Sequence, residues 1–236
     1  MISVDMALIK YLANLGYGTR QEVTRIVSAR RVTRADGMRL RDGDAFTHGD
    51  VRVDGEPLDP PAGSVILLNK PVGYVCSTQD VPPRVYDLLP ARFLRRTPIM
   101  APVGRLDRDT SGLLLLTDDG ALNHRLTSPK RHVPKTYRAL LAENVDPNVV
   151  AVFASGTVML KGETTPLLPA AATILAAREV EVTLEEGRYH QVRRMFAAVG
   201  NHVETLQRIA MGSLTLGELP AGAWRVVSDA ERSALQ

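Results

Sequence analysis

The stretch from Val103 to Gly120, VGRLDRDTSGLLLLTDDG, holds the residues best suited to chemistry. Gly104 to Gly112 is polar and bounded by glycines, which predicts a loop. Leu113 to Leu116 is a short apolar run, which predicts a buried strand, and Asp118-Asp119-Gly120 closes it with a turn. A loop held against a buried strand can fix a reactive carboxylate while leaving it accessible. Asp107 and Asp109 are the acids of that loop. An ionised carboxylate there could attack an electrophilic carbon or remove a proton, and it could equally be a solvated loop acid or a turn cap.

Basic side chains surround this stretch in sequence. Lys70 stands at the tip of the turn Asn69-Lys70-Pro71-Val72-Gly73-Tyr74, after a buried strand from Val65 to Leu68. Arg193 and Arg194 lie off the apolar stripe Val192, Met195, Phe196, Val199 of a helix that Gly200 ends. At the N-terminus, Leu8, Tyr11, Leu12 and Leu15 follow the i, i+3, i+4, i+7 spacing of an amphipathic helix over residues 6–15. Thr19 and Glu22 form a capping box that opens a second helix with Val23, Ile26 and Val27 on one face. Its other side carries Arg20, Arg25 and Arg30, followed by Arg31 and Arg34. Such a cluster is either a solvated helical face or a phosphate-binding surface.

The elements that must position these groups follow from periodicity. Val51 to Gly55 reads as one arm of a hairpin, and Asp59-Pro60-Pro61-Ala62-Gly63 has linker composition, which puts a domain boundary there. Residues 79–100 are poorly patterned. A short helix holds Leu122 and Leu126. Lys135 to Leu140 and Val180 to Leu184 alternate as strands, with closing strands at 206–209 and 213–216. Ser228 and Glu231 make a last capping box.

Composition narrows the function. The 236 residues are 44% hydrophobic, enough for an ordinary core, and the single Cys76 excludes an internal disulfide and a multi-cysteine zinc site. His124, His132, His190 and His202 lack metal-ligand spacing, and no glycine-rich phosphate fingerprint occurs, so neither metal nor cofactor is expected. No apolar run approaches the ~20 residues of a membrane span. With no signal-peptide layout, a cytoplasmic monomer is expected. Net charge is +3, so the placement of basic residues says more about a polyanionic partner than their number.

Taken together the motifs match a family. Residues 6–37 resemble an S4 RNA-binding domain: a short helix, the turn Gly16-Tyr17-Gly18-Thr19-Arg20, a basic helix and Arg31-Val32-Thr33. It departs from the family at Ala7-Leu8-Ile9-Lys10, where Arg-Leu-Asp-Lys is usual, so two polar groups are missing. Lys70-Pro71-x-Gly73, Gly104-Arg105-Leu106-Asp107-x-x-Thr110-x-Gly112-Leu113, Lys135-Thr136-Tyr137 and Glu186-Gly187-Arg188-Tyr189-His190-Gln191-Val192-Arg193-Arg194-Met195 resemble, in order, the motifs of the RsuA-type pseudouridine synthases. Gly73 to Thr78 and Phe196 to Val203 are most similar to members acting on small-subunit (16S) rRNA, and less like those acting on the large subunit.

The resemblance implies an α+β protein. An S4-like RNA-binding domain spans residues 1–60. A pseudouridine synthase catalytic domain spans residues 61–236, with a mostly antiparallel mixed sheet flanked by helices. It implies Asp107 as the catalytic carboxylate, Tyr137 as the platform for a flipped uracil, and Arg193 as the cation paired with Asp107, with Arg194 as the fallback. Arg105 and Lys70 are expected on the RNA backbone, Leu206 in the pocket or the core, and Arg20, Arg25, Arg30 and Arg31 on rRNA phosphates. Asp109 is read as solvated; Tyr189, His190 and Gln191 are expected to orient their loop. The reaction isomerises uridine and needs no cofactor. The rival readings are a synthase for large-subunit (23S) rRNA, a non-catalytic ribosome-assembly protein, and a glycosidase, which would want two flanking acids.

Overall fold

The structure, a computed structural model, describes residues 4–235. In the N-terminal part, α1 (Leu8–Asn14) and α2 (Arg20–Ser28) pack on a small antiparallel sheet of β1 (Val32–Arg34), β2 (Val51–Val53) and β3 (Glu56–Pro57). The expected apolar stripe is what holds them: Leu8, Tyr11, Leu12 and Leu15 are buried with Val23, Val27, Val32, Leu40, Phe46 and Val51. Thr19 Oγ1 accepts from the Glu22 N–H at 3.3 Å and Glu22 accepts from the Thr19 N–H at 2.7 Å, which caps α2 reciprocally. Asp54 and Gly55, both at positive φ, make the two-residue turn between β2 and β3.

The remainder is built on one sheet. Its elements are β4 (Val65–Lys70), β5 (Ala101–Pro102), β6 (Thr110–Thr117), α3 (Gly120–Thr127), β7 (Lys135–Leu141), α4 (Val149–Ala154), β8 (Ala171–Ala176), β9 (Glu179–Leu184), α5 (Gln191–Ala198), β10 (Val203–Met211), β11 (Leu214–Thr215), β12 (Trp224–Val226) and α6 (Asp229–Ser233). Among the described residues the sheet has nine strands, in the order β12-β4-β6-β10-β7-β9-β8, with β5 on β6 and β11 on β10. Every pairing is antiparallel except β6 with β10, so the sheet is mixed and mostly antiparallel.

Strands β4 and β6 are buried along their length, and this explains their unbroken apolar runs: both faces are covered. Leu113 and Leu115 join Val65, Leu67, Leu122 and Leu126 on one face. Leu114 and Leu116 join Ile66, Leu68, Tyr86, Phe93 and Met100 on the other. A third cluster seats Phe153 of α4 and Val192, Met195 and Phe196 of α5 against β7, β9 and β10. The poorly patterned residues 79–100 supply Val85, Tyr86 and Phe93 to the core from two short 3₁₀ turns, and Leu89 and Met100 from the chain beside them. Such turns have no long period to betray them.

At the centre, β6 and β10 lie so close that a Cβ on Gly112 would meet the Arg208 carbonyl oxygen at 2.2 Å. Gly112 also has φ +103°, so the position is closed to other residues on both counts. The two parts of the chain are fastened together. Arg96 is buried, donates to Asp118 at 3.1 Å and to the carbonyl of Pro60, and the Gly63 N–H donates to the same Asp118 at 2.7 Å. Arg92 grips Asp59 with two hydrogen bonds of 2.5 and 3.0 Å, and the Thr97 N–H donates to the Asn14 carbonyl at 2.9 Å. No helix among the described residues is long and apolar enough to cross a membrane.

Candidate active site

A cleft of about 510 Å³ opens over the centre of the large sheet. Asp107, Tyr137, His190, Leu206 and Arg208 line it, and Arg105 stands exposed on it. The loop that carries Asp107 ends at Asp109, and β6 begins at the next residue, Thr110. Polar Thr110, Ser111 and Gly112 are therefore strand, not loop as expected, because they pair with Leu206, Gln207 and Arg208 of β10.

Lys70 sits beneath that loop. The sequence places it on RNA phosphate, and the structure does not: its side chain is fully buried. Its Nζ donates to the carbonyls of Pro71, Asp107 and Thr110 at 3.0, 3.0 and 2.7 Å, with Arg108 at 3.4 Å. Burial pulls its pKa down from the ordinary lysine value, opposed by the negative charges of Asp109 and Asp107 and by the Cys76 thiol. The motif lysine thus ties the Asp107 loop to the end of β4, supplying a donor to carbonyls that converge on it.

Asp107 is about one-third exposed, and its Oδ1 lies 3.4 Å from Nε2 of His190. His190 precedes α5 in a left-handed conformation, φ 50° and ψ 34°, and stacks on exposed Tyr189 with ring centroids 3.9 Å apart. Gln191 holds this corner: its Oε1 accepts from the Arg188 N–H at 2.8 Å and its Nε2 donates to Glu186 at 2.9 Å.

The expected Arg193–Asp107 ion pair is absent among the described residues. Arg193 instead donates to the Val203 carbonyl at 2.9 Å and the Asp109 carbonyl at 3.2 Å, and pairs with the Asp109 carboxylate at 3.1 Å. These main-chain anchors hold the guanidinium at the far end of the loop, out of reach of the carboxylate two residues earlier. Asp109, expected to be merely solvated, is still largely exposed but ion-paired. The fallback also fails for Arg194, which pairs with Glu163 at 3.0 Å and donates to the carbonyls of Tyr189 and Lys161. With its donors turned inward, Arg194 is a brace for the 161–163 segment and not a free RNA contact.

Tyr137, on β7, is half-buried in the cleft wall, with Val182 of β9 on one side and Arg208 of β10 on the other. Leu206 is buried in the core and lines the cleft as well. Residues directly across an antiparallel pair share a face, so Tyr137 and Arg208 stand side by side. Arg208 was not singled out from sequence, although a charge in the middle of the strand run Leu206-Gln207-Arg208-Ile209 is a usable signal. Far from the cleft, Arg20, Arg25 and Arg30 are exposed and make no ion pair among the described residues. Arg31 is exposed but held by Asp54 through two hydrogen bonds of 2.6 Å. Among the described residues, no group of histidine, cysteine and acidic side chains could hold a metal ion.

Residues 64–198 match the RNA pseudouridylate synthase family. The chain is 41% identical over 231 residues to the ribosomal small subunit pseudouridine synthase A of Yersinia pestis, covering 96% of each. It is 41% identical over 232 residues to the protein of that name in Escherichia coli K12, covering 96% of this chain and 98% of that one. It is 40% identical over 235 residues to YtzG, an uncharacterised RNA pseudouridine synthase of Bacillus subtilis, covering 96% of each. A crystal structure of a pseudouridylate synthase superposes with a TM-score of 0.69 at 38% identity, covering 98% of this chain and all of that one. With its α+β body, mixed sheet and carboxylate-bearing cleft, the chain belongs to the RNA pseudouridylate synthase family.

Proposed function

We propose that this protein isomerises one specific uridine of small-subunit (16S) ribosomal RNA to pseudouridine, with Asp107 as the catalytic carboxylate. The observation that carries the reading is the placement of Asp107. It is held from below by Lys70, accessible from the cleft, and flanked by an aromatic platform, Tyr137. A uridine in folded RNA must be extruded to be reached, at a cost of a few kcal/mol. Stacking on Tyr137 returns about 1–3 kcal/mol, and phosphate contacts supply the rest. Arg105 is exposed at the cleft and serves the RNA backbone there. Residues 1–60 act as an S4-like RNA-binding domain, with the exposed Arg20, Arg25 and Arg30 meeting phosphates, and residues 61–236 form the catalytic domain.

The small-subunit assignment rests on the names of relatives at about 41% identity over nearly the whole chain. The proposed setting is the cytoplasm, where ribosomal RNA is assembled. Incubation of the protein with unmodified 16S and 23S transcripts and with assembly intermediates, followed by carbodiimide treatment and primer extension, tests the reading. One new stop in the 16S RNA is expected. A stop only in 23S RNA would shift the assignment to the large subunit, and binding without any stop would mean a non-catalytic assembly protein.

A further inference from the structure

The floor of the cleft carries positive charge that the protein itself does not neutralise. Arg208 is 2% exposed, yet no carboxylate lies within ion-pair distance of it among the described residues. Its Nε donates to the Leu113 carbonyl at 2.7 Å, while its Nη2 is buried and has no hydrogen-bond partner among the described residues. The hydroxyl of Thr110, also lining the cleft, is buried and unpartnered as well. Lys135 adds a second cation, with Nζ donating only to the Val133 carbonyl at 2.9 Å. Burial, and after it the charge of Arg208, lowers the Lys135 pKa.

A buried guanidinium without an anion is costly, and a native chain that keeps one has a use for negative charge at that place. Asp107 faces His190, its Oδ1 3.4 Å from Nε2, and is not within ion-pair distance of Arg208. What arrives is substrate. When the N1–C1′ bond of uridine breaks, the bonding pair stays on the base. Uracil then leaves as an anion whose charge is shared among N1, O2 and O4. The charge is withdrawn when C5 bonds to C1′; the C5 proton then passes to a base and N1 takes up a proton, so the base ends neutral. Substrate and product are isomers, so no co-reactant is needed.

We propose that Arg208 is a catalytic residue that stabilises the uracil anion between cleavage of N1–C1′ and formation of C5–C1′. This rests on the pseudouridine synthase reading given above. Arg208 stands beside Tyr137 and two residues from Leu206 on the same wall, so a base stacked on the tyrosine brings its carbonyl oxygens to the guanidinium. Donors fixed in a water-poor site before the charge develops do not have to reorganise, and losing one typically slows a reaction about 10²–10³-fold.

The test uses the full-length protein and a short RNA carrying either uridine or 5-fluorouridine at the target. Fluorine makes the uracil anion intrinsically more stable, so a residue that stabilises this anion is needed less. Single-turnover loss of the N1-linked target nucleoside, a step that needs no C5 proton, is followed by chromatography and mass spectrometry for wild type, Arg208→Gln and Arg208→Lys. The expected result is a loss of about 100-fold with uridine for Arg208→Gln, on the scale of a lost charge-stabilising donor. The loss should be at least several-fold smaller with 5-fluorouridine, partly restored by Arg208→Lys, and accompanied by unchanged RNA affinity. Equal losses on both substrates, or no loss, would overturn the assignment. If Arg208→Gln does not fold, Arg208→Lys carries the comparison, and its slowing must be smaller on the fluorinated RNA. A wild type that converts neither RNA would instead remove the underlying activity.

Discussion

The guanidinium of Arg193 closes on the carboxylate of Asp109 at 3.1 Å, while Asp107, two residues earlier, faces His190 at 3.4 Å. One loop therefore presents two acids to two different bases. Arg193 also holds the main-chain oxygens of Asp109 and Val203, so it ties the far end of the loop to the start of β10. Lys70 holds the carbonyls of Asp107 and Thr110 from beneath, so two basic side chains fix the loop that carries the Asp107 carboxylate. Arg193→Met should lower kcat, and Asp109→Asn should lower it by less. The double variant should be no worse than Arg193→Met alone, because neighbours in one network couple by about 0.5–3 kcal/mol. Fully additive losses would show that the two residues act separately.

Lys70→Met removes a donor from the buried carbonyls of Pro71, Asp107 and Thr110. Each orphaned carbonyl costs on the order of 1 kcal/mol, so urea unfolding should report a loss of about 3 kcal/mol. Turnover should fall by more than RNA affinity, since the lysine positions the loop and does not touch RNA. A pure loss of affinity at wild-type stability would restore the phosphate contact that the sequence suggests.

The N-terminal arginines differ in availability. Arg20, Arg25 and Arg30 are exposed and make no ion pair among the described residues, whereas Arg31 is occupied by Asp54. Each exposed arginine that releases counterions on binding contributes about one unit to the slope of log affinity against log salt. Filter binding over a salt series should show that slope reduced by Arg20→Gln, Arg25→Gln and Arg30→Gln, and less by Arg31→Gln. Equal effects at all positions would mean that the Asp54 pair opens on binding.

Glu231 gives a pH signature. The paired guanidinium of Arg225 and then the Ser228 N–H hold its carboxyl at about 2, down from 4.5 in the unfolded chain. A depressed carboxylate pKa stabilises the fold above 4.5, and that contribution drains away as pH falls from 4.5 towards about 2. The group is about one-third exposed, so the effect stays below about 1 kcal/mol. Glu231→Gln should lower Tm at neutral pH, and the gap to wild type should close as pH falls through this window. A gap constant with pH would rule out the linkage.

Much of this architecture is legible in the sequence, for identifiable reasons. The stripe Leu8, Tyr11, Leu12, Leu15, the Thr19–Glu22 and Ser228–Glu231 boxes and the run Leu113–Leu116 obey short-range rules, and each forms the element it predicts. Strand β8 was not legible: Ala171–Ala176 is an exposed edge with no alternation. The site split along the same line. Motif order brings Asp107, Tyr137 and Leu206 into one cleft. It does not say which acid an arginine meets, because Arg193 chooses between Asp107 and Asp109 by main-chain anchors at Val203, 10 residues away, and at Asp109, 84 residues away. Nor does it separate a surface lysine from the buried Lys70, since that difference lies in the carbonyls that converge on it.

The most direct measurement is tritium release from rRNA labelled at C5 of uridine, with wild type beside Asp107→Asn, which keeps the shape of the side chain and removes its charge. Wild type should release tritium in proportion to the enzyme's turnovers, and Asp107→Asn should release none while binding the same RNA with wild-type affinity. Tritium release by Asp107→Asn at the wild-type rate would contradict the account.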